Sequence, residues 1–309
     1  MFVEEYLRDV RAARYGRAAW ATYLRRVGAR VGGHVWDNPQ ATRSVLTVGT
    51  GLFVLHVLAS LWVSFTFGAA RGVAYLWGAG LATLAAALFC VAHLGLVRTP
   101  DGVPCARLSP ADWLTLLRAT MAPAILLFAA TGAWGAALGW ILAGGLTDVA
   151  DGMLARRLGV GTLLGRVMDP LVDIAFNLSV VVALFRGGLL PAWVLAVVAA
   201  RYGLLVFGAL FIYVARGPVR IQPTAFGKAS GVVIYVLIGL RVALAVHGSA
   251  DVSARLAQVL DTAIGLLTAA AVFQVGVMGW YNVKLTGARV EPPRVVADVS
   301  FKPHRRREP

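Results

Sequence analysis

The sequence predicts an all-helical protein that crosses a membrane many times. Three observations carry this. Hydrophobic residues make up 59% of the 309-residue chain and charged residues only 14%, against about 25% charged in a soluble domain. Mean hydropathy is +0.73. Uncharged runs long enough to span a bilayer of about 30 Å, at about 1.5 Å per residue, recur along the chain.

The elements follow in order. Residues 1–43 hold eight arginines among short apolar groups. This segment reads equally as an amphipathic helix lying on the cytoplasmic face or as a solvated basic tail. Its opening, MFVEEYLRDVRAARYGR, has no apolar core behind the arginines and is not a signal-peptide pattern. Two uncharged runs, 44–70 and 72–97, flank Arg71, and each is long enough to cross. Residues 98–111 are polar, with Pro100, Pro104 and Pro110, and form a boundary. The uncharged run 119–147 is too long for one helix. It predicts a helix over about 112–130, a turn at Thr131-Gly132, and a helix over about 133–156. Further spans are expected near 167–186, 190–215, 228–248 and 257–282. The total is eight: two extra N-terminal helices over 44–97 and a six-helix core over 108–283. The tail 284–309 is basic and is expected to be flexible.

Orientation follows from arginine and lysine, which favour the cytoplasmic side. With the N-terminus inside, the inner segments hold Arg43 and the arginines before it, Arg98, Arg107, Arg156, Arg157, Arg166, Arg216, Arg220, Lys228 and the basic tail. The outer loops hold Arg71, Arg186 and Arg255. Both termini are therefore expected in the cytoplasm of a cell whose plasma or inner membrane holds the chain. The net charge of +14 lies outside the apolar runs, so anionic membrane lipids are the expected partner and nucleic acid is not. Cys90 and Cys105 form no disulfide framework, and the five histidines have no metal-ligand spacing.

Four acids sit at the inner ends of two adjacent predicted spans. Asp148 and Asp151 are spaced i, i+3; Asp169 and Asp173 are spaced i, i+4. Each spacing puts its pair on one helical face, and a short loop lets the faces meet. Intramembrane acids cost about 2.5–3.5 kcal/mol each at mid-membrane and are functional by default. Four together repel one another unless a positive charge intervenes. Arg156, Arg157 and Arg166 offset part of this; a hard divalent cation, magnesium or manganese, offsets more, because it takes oxygen ligands. Gly152 and Gly165 leave room for a ligand or a neighbouring helix. Gly135 and Gly139 form a small-xxx-small pattern, read as helix packing before dimerisation.

The pattern Asp148-x2-Asp151-Gly152-x2-Ala155-Arg156-x8-Gly165-x3-Asp169-x3-Asp173 resembles the signature of the CDP-alcohol phosphotransferases, with every fixed position filled and every gap at family length. The resemblance covers about residues 108–283. The preceding LSPADWLTLLRATMAP resembles the family's first-helix entrance through Thr115, Arg118 and Pro123; Asp112 stands where asparagine is usual. The resemblance implies that Asp148, Asp151, Asp169 and Asp173 hold two magnesium or manganese ions. It implies that Thr115, Gly152, Ala155, Arg156 and Gly165 line the nucleotide site, and that Asp173 takes the proton of the acceptor hydroxyl. The donor would be a CDP-linked lipid, the acceptor a small polar alcohol, and CMP the leaving group.

Arg201, inside a predicted span, with Arg220 and Lys228 near the same end, would hold an acceptor phosphate. The run MDPLVD resembles the phosphatidylglycerophosphate- and cardiolipin-forming branches, although Ile174 replaces their usual lysine. Glycerol 3-phosphate is the expected acceptor, with inositol phosphate the alternative. An aspartate-rich prenyltransferase would need a second, distant acidic motif. An ion-coupled transporter would use the acids as an ion site and tends to show inverted repeats; no such repeat is visible. A homodimer is compatible with all of these readings.

Overall fold

The computed structural model describes residues 2–159, 161–217, 224–247 and 250–287. Twelve α-helices order the described chain: α1 Phe2–Ala12, α2 Arg17–Asp37, α3 Pro39–Phe67, α4 Ala69–Ala92, α5 Pro110–Ala119, α6 Ala122–Ala130, α7 Trp134–Leu158, α8 Leu163–Arg186, α9 Ala192–Gly203, α10 Ala209–Arg216, α11 Ala225–His247 and α12 Ala250–Gly287. A 3-10 turn, Leu94–Leu96, follows α4, and a π-helical stretch, Leu204–Gly208, joins α9 to α10. Among the described residues there is no strand.

Seven helical segments are long and apolar enough to cross a membrane: Pro39–Phe67, Ala69–Ala92, Pro110–Ala130, Leu163–Arg186, Ala192–Arg216, Ala225–His247 and Ala254–Tyr281. The chain is a multi-pass membrane protein. The eighth expected span is α7, 25 residues long, which carries Asp148, Asp151, Arg156 and Arg157 and so lacks an uncharged length.

Three expectations need correction. The helix expected over 112–130 is broken. Thr120 and Met121 interrupt it, and α6 restarts with Pro123 in its first turn, where a missing N–H costs nothing. Of the two readings of the N-terminal segment, the helical one holds for residues 2–43, which carry α1, α2 and the start of α3, and the tail is corrected. Gly135 and Gly139 do not pack within the chain, since an added Cβ at either meets nothing within 4 Å.

The turn at Gly132 is as expected, with φ +72. A second tight turn at Gly68, φ +99, folds α3 back onto α4. Only glycine takes such angles cheaply. The hairpin is seated by polar contacts unusual in an apolar setting. Ser60 donates to Gly72 O at 3.1 Å, and His56 Nδ1 lies 2.7 Å from the Tyr75 hydroxyl. The hairpin then docks on the core. Val63, Tyr75 and Ala79 cluster with Ala124, Phe128 and Ala137, and a Cβ at Gly78 would sit 2.9 Å from Pro123.

In the core, α7, α11, α12, α9 and α8 contact one another in ring order, and α5–α6 bridges α7 and α8. Ile125, Ile141, Val180, Val194, Ile238 and Ile264 fill the interior. Small residues set the spacing. Phe176 lies against Gly144, Tyr235 against Gly145, and Trp193 against Gly265. Tyr235 also donates its hydroxyl to Ile141 O.

The seam at Gly72 is testable. A valine there would place Cβ 2.7 Å from Ser60 O, and overpacking of this kind costs about 1–3 kcal/mol. Gly72→Val is expected to lower the thermal midpoint in detergent, followed by tryptophan fluorescence; an unchanged midpoint would mean that the hairpin contributes no stability.

Candidate active site

The site is built from the first core helix upward. Ser109 starts α5 as its cap. Its hydroxyl accepts from Asp112 N at 3.1 Å, and the Asp112 carboxylate accepts from Ser109 N at 2.8 Å. This reciprocal pair satisfies two of the donors that every helix start leaves open. Asp112 is 1% exposed. Its other oxygen accepts from Thr162 Oγ1 at 2.9 Å, and Thr162 in turn caps α8 by accepting from Gly165 N at 2.9 Å. Asp112 therefore locks the starts of α5 and α8 together. A Cβ at Gly165 would fall 2.6 Å from Asp112 Oδ1, so glycine is needed there for the close approach of this carboxylate.

Once α5 is fixed, Thr115 and Arg118 face the acids. Thr115 Oγ1 donates to Asp169 Oδ1 at 2.8 Å and lies 3.4 Å from Asp151 Oδ2. Arg118, 2% exposed, reaches three of the four carboxylates. Its Nη1 is 2.7 Å from Asp148 Oδ1 and 3.2 Å from Asp151 Oδ2; its Nη2 is 2.7 Å from Asp173 Oδ1. The first contact is also a hydrogen bond; the other two are ion pairs. The two motif pairs, one on α7 and one on α8, are thus joined through Arg118 and Thr115. Pro170 lies between Asp169 and Asp173 inside α8, where it removes one backbone donor.

The expected counter-charge is corrected. Arg118, not Arg157 or Arg166, is the cation among the acids; both of those side chains are exposed. The side chains of Ala155 and Arg156 lie outside what the structure describes. The argument that singled out Arg201, an arginine inside an apolar run, applies equally to Arg118 between Leu117 and Ala119. That signal was present in the sequence.

A cavity of about 660 Å³ opens beside the cluster. Arg118, Asp148 and Asp173 line one wall; Asn177, Arg201, Tyr202 and Tyr235 line others. The Nε atoms of both Arg118 and Arg201 are buried with no hydrogen-bond partner among the described residues. Buried donors of this kind are rare unless a ligand or water meets them. Leu142, Leu146, Val149, Val232 and Val236 form apolar lips between α7 and α11. Arg220 and the Lys228 side chain lie outside the described residues.

For a divalent cation, the donor chemistry fits, since four carboxylates offer hard oxygen ligands. In this arrangement three of them close on Arg118 and Asp169 accepts from Thr115, and among the described residues no three acids, histidines or cysteines converge as a ligand set. Sequence reasoning also passed over Arg241, whose Nε is 3.0 Å from Asp261 Oδ1 between α11 and α12. This pair is remote in sequence from the motif, and its partner became visible only in the fold.

Two substitutions separate charge balance from capping. Removing one member of a buried ion pair costs about 3–5 kcal/mol. Arg118→Ala is therefore expected to lower stability sharply in the metal-free protein, measured by thermal unfolding, with partial recovery in Arg118→Lys. Asp112→Ala removes the acceptor of Ser109 N and Thr162 Oγ1 while Ser109 stays as the cap, at about 0.5–1.5 kcal/mol for each hydrogen bond lost. It is expected to lower the midpoint modestly while leaving the Arg118 cluster formed; a loss as large as that of Arg118→Ala would mean that Asp112 belongs to the charge network.

A Mycobacterium tuberculosis protein provisionally named a cardiolipin synthase is 31% identical over 122 residues, which cover 38% of this chain and 57% of that protein. A Streptomyces coelicolor protein named cardiolipin synthase (CMP-forming) is 39% identical over 72 residues, covering 22% of this chain and 34% of the relative. A chloroplastic CDP-diacylglycerol–glycerol-3-phosphate 3-phosphatidyltransferase of rice is 35% identical over 75 residues, 24% of this chain and 23% of the relative. The chain thus spans between 23% and 57% of the length of these relatives. No solved structure matches it. The CDP-alcohol phosphatidyltransferase family model matches residues 108–280, more than half of the chain and all of the helices that build the cluster and its cavity. The chain belongs to the CDP-alcohol phosphatidyltransferase family.

Proposed function

We propose that this chain transfers the phosphatidyl group of a CDP-linked lipid, CDP-diacylglycerol, to the hydroxyl of a small polar alcohol and releases CMP. One observation carries the reading: Asp148 and Asp173 line a cavity that also holds Arg201, and Arg118 and Thr115 join Asp151 and Asp169 to the same cluster. The family match gives the transporter alternative no support.

The acceptor oxygen attacks the phosphorus that bears the lipid. A new P–O bond forms, the bond to the bridging oxygen breaks, and CMP leaves with that oxygen. Asp173, on the cavity wall, takes the hydroxyl proton; placement is the main contribution of such a base. The four aspartates would hold magnesium or manganese, two ions, and the metal would neutralise charge on the diphosphate. Arg118 balances the carboxylates from the side of α5. Thr115 orients Asp151 and Asp169. Gly152, Ala155, Arg156 and Gly165 belong to the nucleotide side. Arg201, with Arg220 and Lys228, holds an acceptor phosphate. The apolar lips of α7 and α11 face the lipid tails.

Glycerol 3-phosphate is the favoured acceptor, with inositol phosphate as the alternative. A second reading is a phosphatidylglycerol acceptor, favoured by the relatives named cardiolipin synthase. The distribution of arginine and lysine supports a cytoplasmic cluster and cytoplasmic termini. The basic N-terminal segment fits anionic lipid, and a homodimer remains compatible.

The deciding measurement is CMP release by purified protein in detergent, with CDP-diacylglycerol, magnesium and each acceptor in turn. Release with one acceptor, and its loss by at least about 100-fold in Asp151→Asn, Asp169→Asn and Asp173→Asn, is expected from the scale of single catalytic groups. Full turnover in the Asp151 and Asp169 variants would sink the metal-site assignment.

A further inference from the structure

The N-terminal helix reaches across the chain to the end of one membrane span. Arg11 donates from Nε to Val214 O at 2.8 Å and from Nη2 to Tyr213 O at 2.7 Å. The Tyr15 hydroxyl lies 3.3 Å from Ala215 O. These are carbonyls of the last turn of α10, where a helix runs out of its own donors; Tyr213 O also accepts from Gly217 N at 3.0 Å. A guanidinium there also meets the negative end of the helix dipole. The contact is seated by packing, since Leu7 and Val10 of α1 are 2% and 1% exposed.

Helix α1 is tied in turn to α2. Arg26 pairs with Asp9 at 2.7 Å and lies over the Tyr6 ring. At the far end of α2, His34 fills the space beside Gly95. Three residues on, Arg98 O accepts from Leu163 N at 2.9 Å, at the start of α8. The N-terminal segment thus joins the start of the helix that carries Asp169 and Asp173 to the end of the helix that follows Arg201.

That second helix needs such an anchor. Among the seven candidate spans, Ala192–Arg216 has 6% of its apolar window buried, against 22–50% in the others. Its first half packs on α12 and α8 through Trp193, Val194 and Val198, but no residue of Leu204–Arg216 is buried, so that half has little besides its end to set its depth and rotation. It also carries the π-helical stretch Leu204–Gly208, a looser turn often found at functional sites. Arg201 and Tyr202 lie just before that stretch, on the cavity.

We propose that α1 is a positioning clamp for the reaction. Through Arg11 it fixes the end of the α9–α10 span and so holds Arg201 and Tyr202 at the cavity wall. This rests on reading that cavity as the acceptor site. The segment lies outside the residues matched by the family model.

The test uses the full chain purified in detergent, with Arg11→Ala and Arg11→Lys. Lysine keeps the charge but lacks the fork that serves two carbonyls. Amide exchange is read over 204–216, with 225–247 as internal control. Arg11→Ala is expected to speed exchange over 204–216 about tenfold, the effect of about 1.4 kcal/mol in local opening, and to leave 225–247 unchanged. It is expected to raise the acceptor KM severalfold while kcat and the CDP-lipid KM hold; Arg11→Lys should fall between. Unchanged exchange over 204–216 overturns the clamp, as does an equal rise in 225–247. Faster exchange with an unaltered acceptor KM overturns its role in positioning. An inert wild-type chain with every acceptor would fail the acceptor reading alone, and exchange would still decide whether α1 holds the span.

Discussion

One guanidinium among four carboxylates governs this molecule. Arg118 is almost wholly buried, and it touches Asp148, Asp151 and Asp173. Like charges this close destabilise a fold unless a cation stands between them. Because α5 supplies the cation while α7 and α8 supply the acids, the three helices are bound to one geometry. The same arrangement keeps the carboxylates gathered, which a divalent cation or an anionic substrate held through one requires.

The rest of the fold serves to hold that geometry. Ser109, Asp112, Thr162 and Gly165 form one hydrogen-bonded joint between the starts of α5 and α8. This joint aims Thr115 and Arg118 inward. On the other wall, Gly144 and Gly145 let Phe176 and Tyr235 come close to α7, which brings α8 and α11 around the cavity. In a membrane, apolar burial gives helices little reason to associate, so close packing at small residues and polar contacts carry more of the work. The α3–α4 hairpin follows the same rule through Ser60, Gly72, His56 and Tyr75.

Beyond the core, the N-terminal segment adds a layer that the family's common part lacks. Its two helices run from the end of α10 to the turn that meets α8. Arginine is well suited to this position, since it satisfies open helix carbonyls and opposes the helix dipole in one contact. Basic residues that serve topology by their charge thereby also serve architecture by their geometry.

Much of this was legible in the residues. Hydropathy alone determined that the chain is helical and spans a membrane, because a backbone in lipid must satisfy its own hydrogen bonds and helices do so locally. The i, i+3 and i, i+4 spacings determined that Asp148 pairs in face with Asp151, and Asp169 with Asp173, because helical periodicity is a local property. What the sequence could not decide was which distant groups these faces meet. Arg118 stands 30 residues from Asp148, and Arg11 stands 203 from Val214. Asp112 looks like a departure from a motif until Thr162 is beside it. Gly135 and Gly139 have a packing pattern and no partner in the chain, whereas Gly144 and Gly145 have partners. Periodicity fixes the face that a residue occupies on its own helix. Only the packing of that helix against others decides what lies opposite, because that depends on the summed shape of many side chains far apart in the chain.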